Sequence, residues 1–145
     1  MSKLFLILLI FLAQKSVAQS DDPQNLANSL AHKLYQATAE KNHKMLKDII
    51  NFPLETYVSE KCAREWKNAP NSTISFDKWI ELVEKIPDNE NPKFTHETIQ
   101  GATWQIENSE QILRYESVVY GMVSEFQAKI FDGNWKIFRD TVVEC

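Results

Sequence analysis

The stretch that decides the fold is residues 123–143, with the sequence VSEFQAKIFDGNWKIFRDTVV. Two runs rich in β-branched and aromatic residues flank the dipeptide Asp132-Gly133. This dipeptide is typical of a two-residue turn in a β-hairpin, because both central residues of that turn need positive φ. Such a turn fixes the register and places Ile130 opposite Trp135. The sequence therefore predicts two antiparallel strands, at 123–131 and 134–143.

Alternation along the hairpin assigns its side chains to two faces. We expect the more apolar face to be buried, and its members are Ser124, Phe126, Ala128, Ile130, Trp135, Ile137, Arg139 and Thr141. The outer face then carries Glu125, Gln127, Lys129, Lys136, Phe138 and Asp140. A three-residue loop would put Lys136 opposite Ile130 and scatter the apolar set, so the pattern favours the two-residue turn.

Two further strands and an edge are expected outside the hairpin. From Phe94 onward the chain is rich in β-branched and aromatic residues, with turn residues at Asn108-Ser109 and near Gly121. This pattern predicts strands at 95–106 and 111–120, and a short strand near 54–58 adds an edge.

Three helices are expected before the meander. The first has Asp22 as its N-cap and Pro23 at the first helical position, as is common at helix N-termini. The second covers apolar residues between 45 and 50 and stops before a proline. The third has Ser75 as its N-cap and ends at Ile86-Pro87. Its apolar side is expected to cover the sheet.

The first 18 residues have the layout of a cleavable signal peptide. Lys3 precedes an apolar run over residues 4–13, and the small residues Ser16-Val17-Ala18 follow. Because a membrane span needs about 20 apolar residues, this run is too short to anchor the chain. We expect cleavage after Ala18, secretion, and one mature domain at 19–145 that leaves the membrane. The alternative is a buried N-terminal helix.

The mature chain is acidic. Once residues 1–18 and their two lysines are removed, 14 basic residues face 20 acidic ones, a formal charge of −6. The basic residues are scattered among acidic ones rather than gathered in a stripe. This distribution argues against nucleic acid as a partner.

Two further features fit an exported chain. Asn71-Ser72-Thr73 is a sequon for N-glycosylation and lies in a polar stretch that is expected to be a loop. Cys62 and Cys145 are the only cysteines, and an even number without metal-ligand spacing favours a disulfide in an oxidising compartment. The alternative is that the terminal Cys145 stays free or pairs with a second chain.

The order of the elements resembles the nuclear transport factor two-like superfamily, which includes ketosteroid isomerase-like and SnoaL-like proteins. The resemblance spans most of the mature chain. It rests on the element order and on a meander that closes with Asp132-Gly133-Asn134-Trp135-Lys136-Ile137. It implies an α+β fold in which a cone-shaped, curved antiparallel sheet wraps around N-terminal helices and leaves a pocket at its open end. Members of the superfamily are enzymes, ligand-binding proteins or interaction modules, so the fold does not select a function.

Secreted cystatin-type protease inhibitors have the rival fold, since they also combine a helix with a four-stranded meander. Their loop pattern Gln-x-Val-x-Gly is absent, and Thr98-Ile99-Gln100-Gly101 matches it only in part. Three helical segments are also too many for that fold. The sequence therefore favours the nuclear transport factor two-like resemblance.

The sequence shows no catalytic constellation, which favours a binding or interaction module over an enzyme. Asp140 and Glu125 fall on the expected outer face, where neither would serve as a pocket base. His32, His43 and His96 are expected at the surface, and no His or Cys pair has metal-ligand spacing. No nucleophile motif, metal or cofactor is indicated. A pocket enzyme of the isomerase or dehydratase type is the alternative.

The candidate ligand site is the end of the expected inner face that lies away from the hairpin turn. Its polar residues are Ser124, Arg139 and Thr141, with Tyr115 and Tyr120 as wall residues. Such a mouth would bind a small polar or anionic ligand. The simpler alternative is that Arg139 pairs with an acidic residue at the rim of the sheet.

A second copy of the chain is the other candidate partner. The outer face, where Phe138 lies among charged residues, would then form a homodimer as in dimeric members of the superfamily. A pocket with a buried carboxylate would favour an enzyme, whereas a filled interior and an exposed apolar sheet face would favour pairing.

Overall fold

The computed structural model of this chain describes residues 22–65, 72–85, 87, 99–119 and 122–145. The expected signal peptide, Asn71, His96 and Tyr120 lie outside these residues. The helices are α1 (Pro23–Ala39), α2 (His43–Ile49), α3 (Glu60–Glu65) and α4 (Phe76–Glu84). The strands are β1 (Ile50–Val58), β2 (Ser72–Ile74), β3 (Ile99–Glu107), β4 (Glu110–Val119), β5 (Met122–Phe131) and β6 (Asn134–Glu144).

The strands form one six-stranded sheet in the order β2-β1-β6-β5-β4-β3. All neighbours are antiparallel except β1 and β6, which run parallel. The predicted α+β class and the four-stranded meander are confirmed. The strand expected at 54–58 begins earlier, directly after α2, and it is not an edge, because β2 pairs on its outer side.

Side-chain caps begin two of the helices where the sequence predicts them. The carboxylate of Asp22 accepts a hydrogen bond from the backbone N–H of Gln24 at 2.9 Å, and Ser75 caps α4 in the same manner. The buried side of α1 packs against β3, β4 and α2, and its members are Ala27, Leu30, Ala31, Leu34, Ala37 and Thr38. Among the residues that the structure describes, no helix is long and apolar enough to cross a membrane.

Two elements were not predicted, helix α3 and strand β2. Each spans fewer than seven residues, so neither shows enough of a repeat to be recognised from its pattern. The edge strand β2 buries none of its residues. Its pairing with β1, in which Leu54 faces Ile74, depends on residues far away in the sequence.

A disulfide between Cys62 and Cys145 ties α3 to the end of β6, with their Cα atoms 5.7 Å apart. This confirms the predicted pairing. Ser59 reinforces the same junction, because its backbone N–H donates to the carbonyl of Val142 at 2.8 Å and its hydroxyl donates to that of Val143 at 3.2 Å. The last strand is therefore fixed at its free end.

The hairpin of β5 and β6 follows the predicted register near its turn and departs from it further on. Asp132 and Gly133 both have positive φ, and Ile130 faces Trp135 as expected. Beyond Ile137 the register shifts by one residue, so that Phe138 is an extra residue on β6. This β-bulge sets the side-chain alternation of the following residues out of step with the prediction.

The bulge overturns three predicted side-chain positions. Arg139 pairs with Gln127 and Thr141 pairs with Glu125, so both lie on the outer face instead of the inner one. Asp140 pairs with Phe126 and therefore lies on the inner face, where the prediction had excluded it. Ile130 was expected to be buried but is 55% exposed, because it lies near the hairpin turn at the end of its strand.

Candidate functional site

Three polar side chains from adjacent strands meet on the inner face of the sheet: Tyr115 on β4, Ser124 on β5 and Asp140 on β6. Phe126 joins them, because it pairs with Tyr115 on one side and with Asp140 on the other. We call Tyr115, Ser124 and Asp140 the inner-face cluster. Register alone therefore places a carboxyl, a phenol and a hydroxyl within one small area.

The cluster is enclosed by apolar side chains. Tyr115 is 1% exposed, and its ring stacks on that of Phe126 with the centroids 5.4 Å apart. The neighbouring inner-face positions Leu113, Ala128 and Ile137 are buried as well and belong to the main core. Polar groups in such surroundings interact more strongly than they would in water, and leaving them unbonded is costly.

Two atoms of the cluster have unused hydrogen-bonding capacity. Asp140 accepts a hydrogen bond from Ser124. The Oδ1 atom of Asp140 and the hydroxyl of Tyr115 are shielded from solvent, yet neither bonds to another of the described residues. Buried polar atoms are normally hydrogen-bonded, so each such atom calls for a partner.

The surroundings change the acidity of both groups. Burial raises the pKa of Asp140 from its usual 3.8 to about 6, although the hydrogen bond from Ser124 acts in the opposite direction. Burial also raises the pKa of Tyr115, and the nearby Asp140 carboxylate adds to this effect. Tyr115 therefore stays protonated, whereas Asp140 can gain or lose a proton close to neutral pH.

The outer face carries a network of hydrogen bonds across four strands. Arg139 donates from Nε to Oε2 of Glu55 at 2.7 Å and from Nη1 to Oε1 of Gln127 at 2.9 Å. Gln127 in turn donates to Glu125, which also binds Arg114. The alternative in which Arg139 pairs with an acidic residue is thus the arrangement found. Of the four predicted ligand-binding residues, the structure brings together Ser124 and Tyr115, and places Arg139 and Thr141 on the other side.

Two cavities lined by described residues lie away from the inner-face cluster. One of about 730 Å³ lies between α1, α2 and the β5–β6 turn, with Trp135, Lys33 and Lys136 in its lining. The other, of about 310 Å³, lies on the outer face over Phe131 and Phe138. Asp140 lines neither of them.

The predicted surface positions of two histidines are confirmed. His32 is exposed, and His43 is exposed and lies 3.0 Å from a carboxylate oxygen of Glu84. Among the described residues, no group of three or more His, Cys, Asp or Glu side chains is arranged to hold a metal ion.

Sequence reasoning missed Asp140, because strict alternation from the hairpin turn places it on the outer face. Adjacent apolar residues stand at both register shifts of β6, at Ile137-Phe138 and Val142-Val143. Adjacent apolar pairs such as Ile112-Leu113 and Val118-Val119 also occur in β4, which pairs with β5 without a shift. Such pairs therefore did not identify the bulge.

Comparison with known proteins gives a match only at the level of structure. No protein-family model matches the sequence, and no curated protein matches it either. An NTF2-like protein from Cytophaga hutchinsonii is similar in structure, with a TM-score of 0.53, 12% identity, and coverage of 86% of this chain and 99% of that one.

Two further solved structures agree with it. An NTF2-like protein of unknown function from Silicibacter pomeroyi has a TM-score of 0.52 and 15% identity, and the match covers 81% of this chain and 91% of that one. An NTF2-like protein from Novosphingobium aromaticivorans, described as having a cystatin-like fold, has a TM-score of 0.52, 13% identity and coverage of 86% and 91%. Combined with the helices that precede a curved meander, these similarities show that the chain has the nuclear transport factor two-like fold.

Proposed function

We propose that the chain is an exported binding protein and that its inner-face cluster holds a small neutral ligand. The observation that carries this proposal is the pair of buried atoms with unused hydrogen-bonding capacity, Oδ1 of Asp140 and the hydroxyl of Tyr115. The two atoms lie on one face, on the strands either side of β5, and such atoms can bind a single ligand at two points. The side chains around the two atoms are apolar, as are most residues in small-molecule sites.

The charges at the cluster define the ligand class. Above pH 6 the Asp140 carboxylate only accepts hydrogen bonds, whereas the Tyr115 hydroxyl can donate one. A neutral group with one donor and one acceptor, such as an amide or an alcohol, would satisfy both. An anion would be repelled by the carboxylate, and Arg139, which was the reason to expect an anionic ligand, points to the outer face.

A matched pair of probes tests this proposal. Benzamide and benzoate have the same ring, but only benzamide offers a donor to Asp140. We expect benzamide at pH 7.5 to shift the NMR resonances of Tyr115 and Ser124 in a saturable manner and benzoate to leave them unchanged. Asp140→Leu should weaken benzamide binding by about tenfold or more, since hydrogen bonds to charged groups contribute about 1.5–3 kcal/mol.

Asp132→Asn is the matched control, because this exposed turn carboxylate lies at the other end of the strand. It should bind benzamide as the native chain does. Equal binding of benzamide and benzoate, or equal binding by the native chain and Asp140→Leu, would contradict the proposal.

A pocket enzyme is the second candidate, favoured by the pKa of about 6 at Asp140. A carboxylate with this acidity can take a proton from a carbon next to a carbonyl, while the Tyr115 hydroxyl stabilises the developing oxyanion. Exchange of the α-hydrogens of cyclohexanone for deuterium, followed by NMR, measures this step. The enzyme candidate requires a rate that rises through pH 6 and is lost in Asp140→Asn.

Pairing of two copies through the outer face receives less support. Phe138 is only 8% exposed within its own chain, and Lys129 and Arg139 lie over its ring. Around Phe138, charged side chains rather than apolar ones therefore cover this face. The disulfide supports export, because such bonds persist in oxidising compartments.

A further inference from the structure

The orientation of Asp140 depends on an irregularity of β6, not on its place in the alternating pattern. Phe138 and Arg139 are consecutive, yet both lie on the outer face, where the guanidinium group is 5.1 Å from the centroid of the Phe138 ring. In a regular strand one of the two would point inward. Because both point outward, the next side chain, Asp140, is turned inward.

We infer that Arg139 is a positioning residue, whose bonds to Glu55 and Gln127 on the outer face hold β6 in the bulged register that turns the Asp140 carboxyl toward Tyr115 and Ser124. We call Glu55, Arg139 and Gln127 the outer-face bridge. The inference deepens the proposed function, and its relevance to ligand binding rests on that proposal. The orientation of the carboxyl, however, can be measured without any ligand.

The outer-face bridge has the geometry needed to fix a register. Arg139 bonds to one residue on each neighbouring strand, at 2.7 Å to Glu55 on β1 and at 2.9 Å to Gln127 on β5. Its guanidinium group also lies 5.7 Å from the ring centroid of Tyr57. Bonds to both sides of one strand are lost together if that strand slides by one residue.

The competing register is the one predicted from alternation. Without the bulge, Arg139 would face Phe126 on the inner side and Asp140 would face Glu125 on the outer side. That arrangement buries a guanidinium charge among apolar side chains and sets two carboxylates side by side, both of which are costly. The charge on Arg139 therefore disfavours the regular register as well as stabilising the bulged one.

Among the residues that the structure describes, few other charged groups act on the carboxyl. On the inner face of β4 and β5 the titratable neighbour is Tyr115, while Glu55 of β1 and Arg139 lie on the outer face. Helix α3, which packs on β6, contributes Glu60, Lys61 and Arg64, all of them exposed. A change in the titration of Asp140 thus reports on its own orientation.

The test follows the NMR chemical shift of the Asp140 carboxyl carbon as a function of pH in ligand-free protein. In the native chain we expect the midpoint near 6. In Arg139→Ala the regular register becomes accessible, and the midpoint should fall toward the usual 3.8. Arg139→Lys keeps a positive charge on the outer face but loses the hydrogen bonds to both neighbouring strands. In this variant the midpoint of the Asp140 titration should lie between these two values.

Arg114→Ala is the matched control. This arginine also lies on the outer face and pairs with Glu125, but β4 and β5 pair without a register shift. It should leave the Asp140 midpoint near 6. Glu55→Ala provides a second variant in case Arg139→Ala does not fold, and it should lower the midpoint in the same direction.

Each outcome decides the inference. An Asp140 midpoint near 6 in both Arg139→Ala and Glu55→Ala would overturn it, as would an equal fall in Arg114→Ala. The proposed function fails separately, if the native chain does not distinguish benzamide from benzoate while the Arg139 variants still change the Asp140 titration.

Discussion

A carboxyl group on a buried sheet face can lower its energy by binding a proton or by accepting hydrogen bonds. Asp140 does both in part, since Ser124 bonds to it while burial raises its pKa to about 6. Tyr115 on β4 remains protonated and offers a donor. The inner face thus contains one carboxyl group, that of Asp140, which binds or releases a proton close to neutral pH.

The free energy of unfolding should depend on whether Asp140 is protonated. A carboxyl whose pKa is raised on folding stabilises the folded state fully below its unfolded pKa of 3.8, and this contribution is lost as the pH rises through 6. The difference between the two values corresponds to about 3 kcal/mol at most. Asp140→Asn should therefore gain stability relative to the native chain between pH 4 and pH 7.

Urea denaturation at several pH values measures this gain. Asp132→Asn, in the exposed turn, is the control. Its free energy of unfolding should differ from that of the native chain by a constant amount over the same pH range. If the free energy of unfolding of Asp140→Asn also differed from the native value by a constant amount, the Asp140 carboxyl would not be buried as described.

Strand β6 is the element on which the site depends. It pairs with β1 on one side and β5 on the other, and it has a register shift after Ile137 and another near its end. Bulges bend a strand and re-aim its side chains, which is how an alternating sequence presents Asp140 inward. The disulfide and Ser59 hold the end of this irregular strand in place.

Loss of the disulfide should destabilise the fold through β6. The bond joins residues 83 positions apart, and bridges of this kind typically contribute about 2–4 kcal/mol. The double variant Cys62→Ala with Cys145→Ala should unfold at a correspondingly lower urea concentration. The reduced native chain should behave like the double variant, and unchanged stability in both would show that the bridge does not restrain β6.

At the scale of the whole molecule, a six-stranded sheet is covered on its inner face by helices and carries charged side chains on its outer face. The buried sides of α1 and α2 and the inner face of the sheet form one core. The disulfide between Cys62 and Cys145 joins α3 to the residue that follows β6. The disulfide is consistent with an extracellular protein.

Export makes a prediction about the mature chain. Material secreted from eukaryotic cells should begin at Gln19 in N-terminal sequencing, because cleavage is expected after Ala18. Enzymatic deglycosylation should lower its mass, and Asn71→Gln should show no such change. A secreted chain that retains Met1 would contradict the signal peptide, and equal masses before and after deglycosylation of the native chain would contradict the use of Asn71.

The sequence by itself determined the parts of this protein that depend on neighbouring residues. Asp22 and Ser75 identified helix starts because a cap needs only the next few backbone N–H groups. Asp132-Gly133 identified the hairpin turn and its first pairs because a tight turn fixes the nearest register. The partner of Cys62 could be identified because the sequence contains only one other cysteine.

Tertiary structure alone decided which side chains share the inner face. The side to which Asp140 and Arg139 point depends on a bulge that is stabilised by Glu55, 84 residues before Arg139 in the chain, and by the cost of burying a guanidinium charge. Helix α3 and strand β2 likewise exist through their contacts with β6 and β1 and not through any repeat of their own. Side-chain alternation depends on neighbouring residues, whereas strand register depends on contacts across the whole sheet. For this reason the inward orientation of the Asp140 carboxyl could be identified only from the tertiary structure.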